Sequence, residues 1–358
     1  MKMKKILVVL TSMLLIGTLL VGCGGKSGQS SGGNGSADAG KTYVWKFAHE
    51  EIDGSVQDLY VKKFKEIIEK KSNGKIKIEI YPVGQLGDAT QQAELLQNGG
   101  IEFAIVSPGN TGTLVPENQL FSLHYLLSPN MEVNKKVMKE SKALNEDLSK
   151  LYEEKNIKVL AYWTEGFMNW TSSKPLKKPE DFKGFKMRTM PSPMIVAAYE
   201  AYGANPTPVP YMEVYSGLQL NMIEGQENPL FAIEEMKFYE VQKYLTLSNH
   251  SLYVTTTATN PQFFNSLPKD IQQMVLDTVE ELREYSFDIQ QELNDKALEK
   301  IKSKSDIPIV ELTPEETAAF REASMKARDK YVEMVGEKGK AIMEKLAQEV
   351  IEAEKAMQ

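Results

Sequence analysis

The sequence predicts an α/β protein built as two lobes, and three observations carry that expectation. Strand-like and helix-like segments alternate from Tyr43 to Val106. Pro268 opens a helical stretch to about Lys304 with no glycine or proline inside it. The body from Lys41 onward, about 318 residues, is long for one core and comfortable for two.

The first 22 residues stand apart from that body. A basic start (Met1 to Lys5), an apolar run from Ile6 to Val21 and small residues before a cysteine make the pattern of a secretory signal. Leu20-Val21-Gly22-Cys23 resembles a bacterial lipobox, in which Cys23 is lipidated and becomes the new N-terminus. The apolar run is short for a membrane span of about 20 residues. Cys23 is the only cysteine, so the chain forms no internal disulfide and relies on its core. Residues 23–41 have almost no apolar content and read as a flexible tether. The expected location is extracytoplasmic, lipid-anchored to a membrane in a periplasm or on the outer face of a single-membrane cell.

Within the body, Tyr43 to His49 alternates and is rich in β-formers, which predicts a strand. Ser55 to Lys71 places Val56, Leu59, Tyr60, Phe64, Ile67 and Ile68 at helical spacing, and Asn73-Gly74 makes a turn. Lys75 to Tyr81 has period two. Asp88 is suited to cap the next helix, which ends near Gly99-Gly100. Ile101 to Val106 suits a strand buried on both faces. This β-α-β-α-β order predicts a parallel sheet. One helix is expected from about Met131 to Glu154, then strands at Ile157–Trp163, Met168–Ser172 and Phe185–Met190. Helices follow at Pro193–Tyr202, at Met212–Met222 and from Phe231. Lys243–Asn249 and Leu252–Thr259 read as strands. The stretch after Pro268 is either one helix of roughly 50 Å, suited to brace two domains, or two helices with an unmarked bend. A short strand at Ile307–Leu312 precedes a helix capped by Thr313, and the last 20 residues are amphipathic.

Charge and missing motifs narrow the function. Setting aside Lys2, Lys4 and Lys5 leaves 39 of the 42 basic residues against 49 acidic ones, a net of −10. No basic patch stands out, which argues against nucleic acid or an anionic membrane surface as partner. His49, His124 and His250 are not spaced with one another, Cys or carboxylates as metal ligands would be, so no metal or cofactor is expected. No G-x-S-x-G, H-E-x-x-H, Walker or G-x-G-x-x-G pattern occurs. Glu50-Glu51 and Glu234-Glu235 are adjacent carboxylates, but sequence neighbours of this kind are usually solvated. The competing classes are a hydrolase using Glu50 or Glu51, an adhesin whose cleft is only structural, and a non-enzymatic receptor for a small solute. The last is expected.

Only four arginines occur, and Arg188 is the sole one before residue 283. A planar guanidinium donates two parallel hydrogen bonds to a carboxylate where lysine offers a point charge. That chemistry makes Arg188 a candidate anion clamp.

"YPVGQLGD" (Tyr81 to Asp88), "FKGFKMRTMPSP" (Phe182 to Pro193), "GANPTPVPYMEVYSGLQ" (Gly203 to Gln219) and "IEGQENP" (Ile223 to Pro229) resemble the TRAP-transporter solute receptors of the DctP family. The resemblance covers nearly the whole body. It implies a periplasmic-binding-protein-like fold: two α/β domains joined by hinge strands and a long bracing helix, closing on a ligand handed to a membrane permease. The implied organisation is residues 42–165 with 250–267 as domain I, 166–249 as domain II, and 268–358 as the long helix and C-terminal helices packing across both.

The resemblance assigns residues as well. Lys186-Met187-Arg188 matches the family's carboxylate-clamping K-x-R pattern, and Asn228 its amide that helps hold the same carboxylate. Gly166-Phe167 is followed by Met168 where many members carry a second arginine. That weighs against the alternative, a C4-dicarboxylate or sugar-acid receptor, and suits one carboxylate. "AHEEIDGSVQD" (Ala48 to Asp58), "SPGNTGTLVP" (Ser107 to Pro116) and "NPLFAIE" (Asn228 to Glu234) resemble the branch that binds ectoine-type compatible solutes. There Glu51 matches the acid that answers a ligand cation, and Phe231 matches an aromatic wall. Tyr211 stands where the branch has Trp. Asn110 replaces a Phe and suits a more polar ligand than ectoine. Trp170 is a candidate wall, with buried core as its other reading. Gln85 and Asp88 follow a strand end facing the cleft.

Overall fold

The chain lays down its strands and helices largely in the order its periodicity requires. The structure is a computed structural model that describes residues 42–357; the signal segment, the tether and Cys23 lie outside the described residues. β1 (Tyr43–Ala48) leads to α1 (Val56–Lys71), whose N-cap Ser55 accepts a hydrogen bond from the Asp58 amide. Asn73 (φ 51°) and Gly74 (φ 74°) turn the chain into β2 (Ile76–Tyr81), where Ile76 and Ile78 are buried and the alternating Lys77 and Glu79 exposed. Asp88 closes a capping box with Gln91 and starts α2 (Ala89–Gln97). β3 (Phe103–Val106) is buried along its whole length, as an inner strand must be. The short α3 (Pro108–Thr111) follows it directly.

The single helix expected from Met131 to Glu154 is broken. α4 (Met131–Glu140) stops at Ser141, a π-helical turn spans Ala143–Leu148, and α5 (Ser149–Glu153) completes the segment. A distant side chain explains the break. Glu349 accepts hydrogen bonds from the Lys142 and Ala143 amides and from the Ser141 hydroxyl, so the interruption leaves no buried donor unmet. Local periodicity carries no trace of a partner 208 residues away.

β4 (Lys158–Phe167) runs through Gly166, whose φ of +113° and close approach to Asn294 exclude a side chain: a Cβ there would lie 2.6 Å from the amide nitrogen. β5 (Asn169–Ser172) continues beyond it. Of the strand expected at 185–190 only β6 (Arg188–Thr189) forms, followed by α6 (Pro193–Glu200), β7 (Thr207–Pro208) and α7 (Val214–Gln219). β8 (Gly225–Asn228), α8 (Leu230–Glu235), β9 (Tyr244–Leu247), β10 (Leu252–Thr259) and α9 (Pro261–Ser266) come next. α10 (Lys269–Lys304) is one helix of 36 residues, about 54 Å long, so the two-helix alternative does not hold. β11 (Ile309–Glu311) precedes α11 (Pro314–Ala356), capped by Thr313 and Glu316 and kinked at Gly336.

The strands sort into two main sheets and a small one. The first has the order β2-β1-β3-β10-β4, with β10 antiparallel between β3 and β4, so it is mixed rather than purely parallel. The second has the order β11-β9-β5-β8, and β6 pairs with β7. β4 hands the chain to β5, and β9 hands it to β10, so two connections pass between the sheets. α10 ties both sides at one residue: Asn294 donates to the Glu165 carbonyl of β4 at 2.8 Å and accepts from the Phe231 amide of α8 at 3.1 Å. Among the described residues, no helix is long and apolar enough to cross a membrane.

Candidate ligand-binding site

Parallel strands leave a crevice at their carboxyl ends, and there a cavity of about 670 Å³ opens. Residues just after β1 and β3 (Glu50, Glu51, Asn110), the Val83–Thr90 segment after β2, and Tyr253 of β10 line one wall. Arg188, Met190, Pro208 to Glu213 and Asn228 line the other. The structure therefore brings together Arg188, Asn228, Glu51, Tyr211 and Asn110, which are scattered over 178 positions of sequence.

Arg188 is 3 % exposed, and its Nε donates to the Val209 carbonyl at 2.9 Å. Pairing of β6 with β7 sets that register, since Arg188 lies opposite Thr207. Among the described residues its remaining N–H groups meet no protein acceptor, and it forms no ion pair. Burial pulls its pKa below the usual arginine value, with Glu227 opposing. Asn228, at the end of β8, donates one amide hydrogen to Gln226 Oε1 and faces the same cavity. β8 needs Gly225 to sit this close: a Cβ there would be 2.6 Å from the Thr171 carbonyl oxygen.

The facing wall is acidic. Glu50 accepts from the Ser107 amide at 3.0 Å, and burial pushes its pKa up to about 7. Glu51, 5 % exposed, accepts from the Gln57 amide at 3.2 Å. Gln57 Nε2 donates to Glu165 at 2.8 Å, and burial together with the facing Glu51 holds Glu165 well above the usual carboxylate range. The Tyr211 hydroxyl donates to Glu235 at 3.2 Å, and burial and Glu51 push Glu235 up to about 9. The Asn110 amide donates to Ser107 Oγ at 3.1 Å.

Two candidates sit elsewhere. Trp170 is fully buried, stacked on His250 with ring centroids 4.7 Å apart, and donates to the Tyr199 hydroxyl at 2.8 Å; it is core. Phe231 is 4 % exposed, packs in the cluster around Trp163 and Leu282, and does not line the cavity. Their aromaticity signals burial as readily as ligand contact. Asp88 is the helix cap and also borders the cavity.

Sequence spacing missed Glu165, Glu235 and Tyr253 as neighbours of Glu51, because only the tertiary fold brings them together. It also missed that His124, Glu227 and His250 offer ligand atoms within 4.8 Å of one another, an arrangement that could hold a metal. Their hydrogen-bonding capacity is largely committed already. His250 pairs with Glu227 at 2.7 Å and with Ser248 at 2.7 Å, and His124 with Tyr202 at 2.8 Å. Burial and His250 hold His124 well below the usual histidine range.

The site thus offers a guanidinium with free N–H groups and an amide, facing buried carboxyls. The profile of bacterial extracellular solute-binding protein family 7 matches residues 47–334. The chain is 38% identical over 311 residues to the ectoine-binding periplasmic protein TeaA of Halomonas elongata, covering 87% of this chain and 91% of that protein. It is 36% identical over 309 residues to the ectoine/5-hydroxyectoine-binding periplasmic protein UehA of Ruegeria pomeroyi, covering 86% and 91%. The solved structure of the periplasmic ectoine-binding protein of H. elongata aligns with a TM-score of 0.83 at 37% identity, over 86% of this chain and 99% of that one. The chain belongs to the bacterial extracellular solute-binding protein family 7, the DctP family of TRAP-transporter receptors, and is a two-domain extracytoplasmic receptor that binds a small solute for a membrane permease and is not an enzyme.

Proposed function

We propose that this receptor captures a small zwitterion with a single carboxylate, of the compatible-solute kind, between its two domains. The observation that carries the reading is the pairing of opposites across one cavity: a buried guanidinium that forms no ion pair on one wall, and buried carboxyls without a basic partner on the other. A ligand carboxylate takes the free face of Arg188 and the second amide hydrogen of Asn228, while its cationic side meets Glu51. Tyr211 supplies an aromatic face and Asn110 a polar one. Met168 is 3 % exposed in the place of a second arginine, which disfavours a dicarboxylate or sugar acid. Two relatives named for ectoine add support, and Asn110 tilts the preference toward a more hydroxylated or amide-bearing relative of it.

Residues 42–165 with 250–267 and residues 166–249 serve as the two lobes, with the β4–β5 and β9–β10 connections as hinge. Ligand binds the closed form better and so shifts an open–closed equilibrium of a few kcal/mol. Cys23 and the tether hold the body at a membrane beside its permease.

Isothermal titration with ectoine, 5-hydroxyectoine, acetate and succinate tests the reading. A zwitterion is expected to bind tightest, and Arg188→Ala to weaken that binding by about 100-fold or more. Succinate binding tighter than both zwitterions would contradict it.

A further inference from the structure

Behind Glu51, outside the cavity lining, stands Glu165 on β4. It is 0 % exposed; Oε1 accepts from Gln57 Nε2 at 2.8 Å, and Oε2 has no partner. The same Gln57 donates its backbone amide to Glu51 at 3.2 Å and accepts from the Glu50 amide at 2.8 Å, so one glutamine holds the carboxyl groups of Glu51 and Glu165 together. The groups facing the pair from neighbouring elements are acidic or neutral. They are Glu50 in the same loop, Tyr253 on β10, and Glu235 on α8 with Tyr211 bound to it. Asp58 on α1 is occupied by Lys62 at 2.7 Å and by His49 at 3.6 Å. Two ionised carboxylates side by side in a buried site repel strongly, and a shared proton relieves that repulsion. The orphan oxygen of Glu165 is where that proton fits, and Glu51 is the acceptor it faces.

Resting on the zwitterion reading, we propose that Glu165 is a specificity-determining residue that never touches the ligand: in the empty receptor it carries a proton donated to Glu51, and a cationic group docking on Glu51 drives that proton into solvent. The Glu165 O–H bond breaks and the proton goes to water. The freed Glu51 oxygen then accepts from the ligand N–H. The pair carries one negative charge before docking; afterwards two carboxylates and one ligand cation again sum to one negative charge, so the buried site never bears two uncompensated charges. A ligand without a cation cannot displace the proton. Because binding releases protons, affinity for a cationic ligand rises with pH, and affinity for a plain monocarboxylate does not.

Two measurements test this. In the ligand-free receptor, infrared spectroscopy at neutral pH is expected to show a protonated-carboxyl carbonyl band that Glu165→Gln removes; identical spectra would overturn the proposal. Titration calorimetry with ectoine in phosphate and in Tris is expected to give a buffer-dependent enthalpy, meaning net proton release by the wild-type receptor, lost in Glu165→Gln. The wild-type comparison stands even if that variant folds poorly. Ectoine binding with no buffer dependence would overturn the proposal. Failure of the wild-type protein to bind ectoine or 5-hydroxyectoine would count against the zwitterion reading, while the infrared band still decides the state of Glu165.

Discussion

The two walls of the cavity solve opposite problems by different means. On one, a single permanently charged fork, Arg188, is fixed by one backbone carbonyl and left otherwise unsatisfied. On the other, Glu50 and Glu51 line the cavity with Glu165 and Glu235 beyond the lining, and burial and mutual repulsion raise the pKa of Glu50, Glu165 and Glu235. The arginine wall has a charge that pH does not alter, and in the proposed binding mode its geometry does the selecting. The acidic wall has a charge that adjusts to what docks there. A receptor built this way fixes one end of its ligand rigidly and reads the charge of the other.

The largest expected effect breaks the rigid half. Arg188→Ala should weaken zwitterion binding by about 100-fold or more, the loss of a desolvated two-pronged contact. Arg188→Lys should still cost at least about tenfold, because the charge survives but the fork does not. Calorimetry checks both. Next in size, Glu51→Gln should cost about tenfold for zwitterions and leave a plain monocarboxylate nearly unchanged, which separates the work of the two walls. Asn110→Phe should alter selectivity more than affinity, favouring ectoine over 5-hydroxyectoine by a few-fold in a competition assay.

A separate effect concerns the free protein. Glu50 has a folded pKa near 7 against an ordinary 4.5. The folded state therefore binds the extra proton, and stability from this group is full below about pH 4.5 and lost as pH rises through 7. Thermal melting of the wild type should fall relative to Glu50→Gln across that window; parallel curves would contradict the burial assigned to Glu50.

The same contrast explains what could be read from sequence. The place of Arg188 at the cavity was legible because one arginine in a lysine-biased stretch is a local anomaly with a specific chemistry, and its role as anion clamp is the proposal. β1, α1, β2 and β10 were legible because period and caps are local too. Glu165 was not, since its meaning depends on Gln57 and Glu51 more than 100 positions away. The break at Ser141 was invisible for the same reason, being stabilised by Glu349. Trp170 and Phe231 illustrate the reverse ambiguity: a large aromatic near a site motif is as well explained by the core it fills, and both lie outside the cavity lining.

A crystal structure of the receptor with a bound zwitterion tests the clamp most directly. The expected result is the ligand carboxylate within hydrogen-bonding distance of both the Arg188 fork and the Asn228 amide, with its cationic group on Glu51. A ligand bound in the reverse orientation, or with its carboxylate away from Arg188, would contradict it.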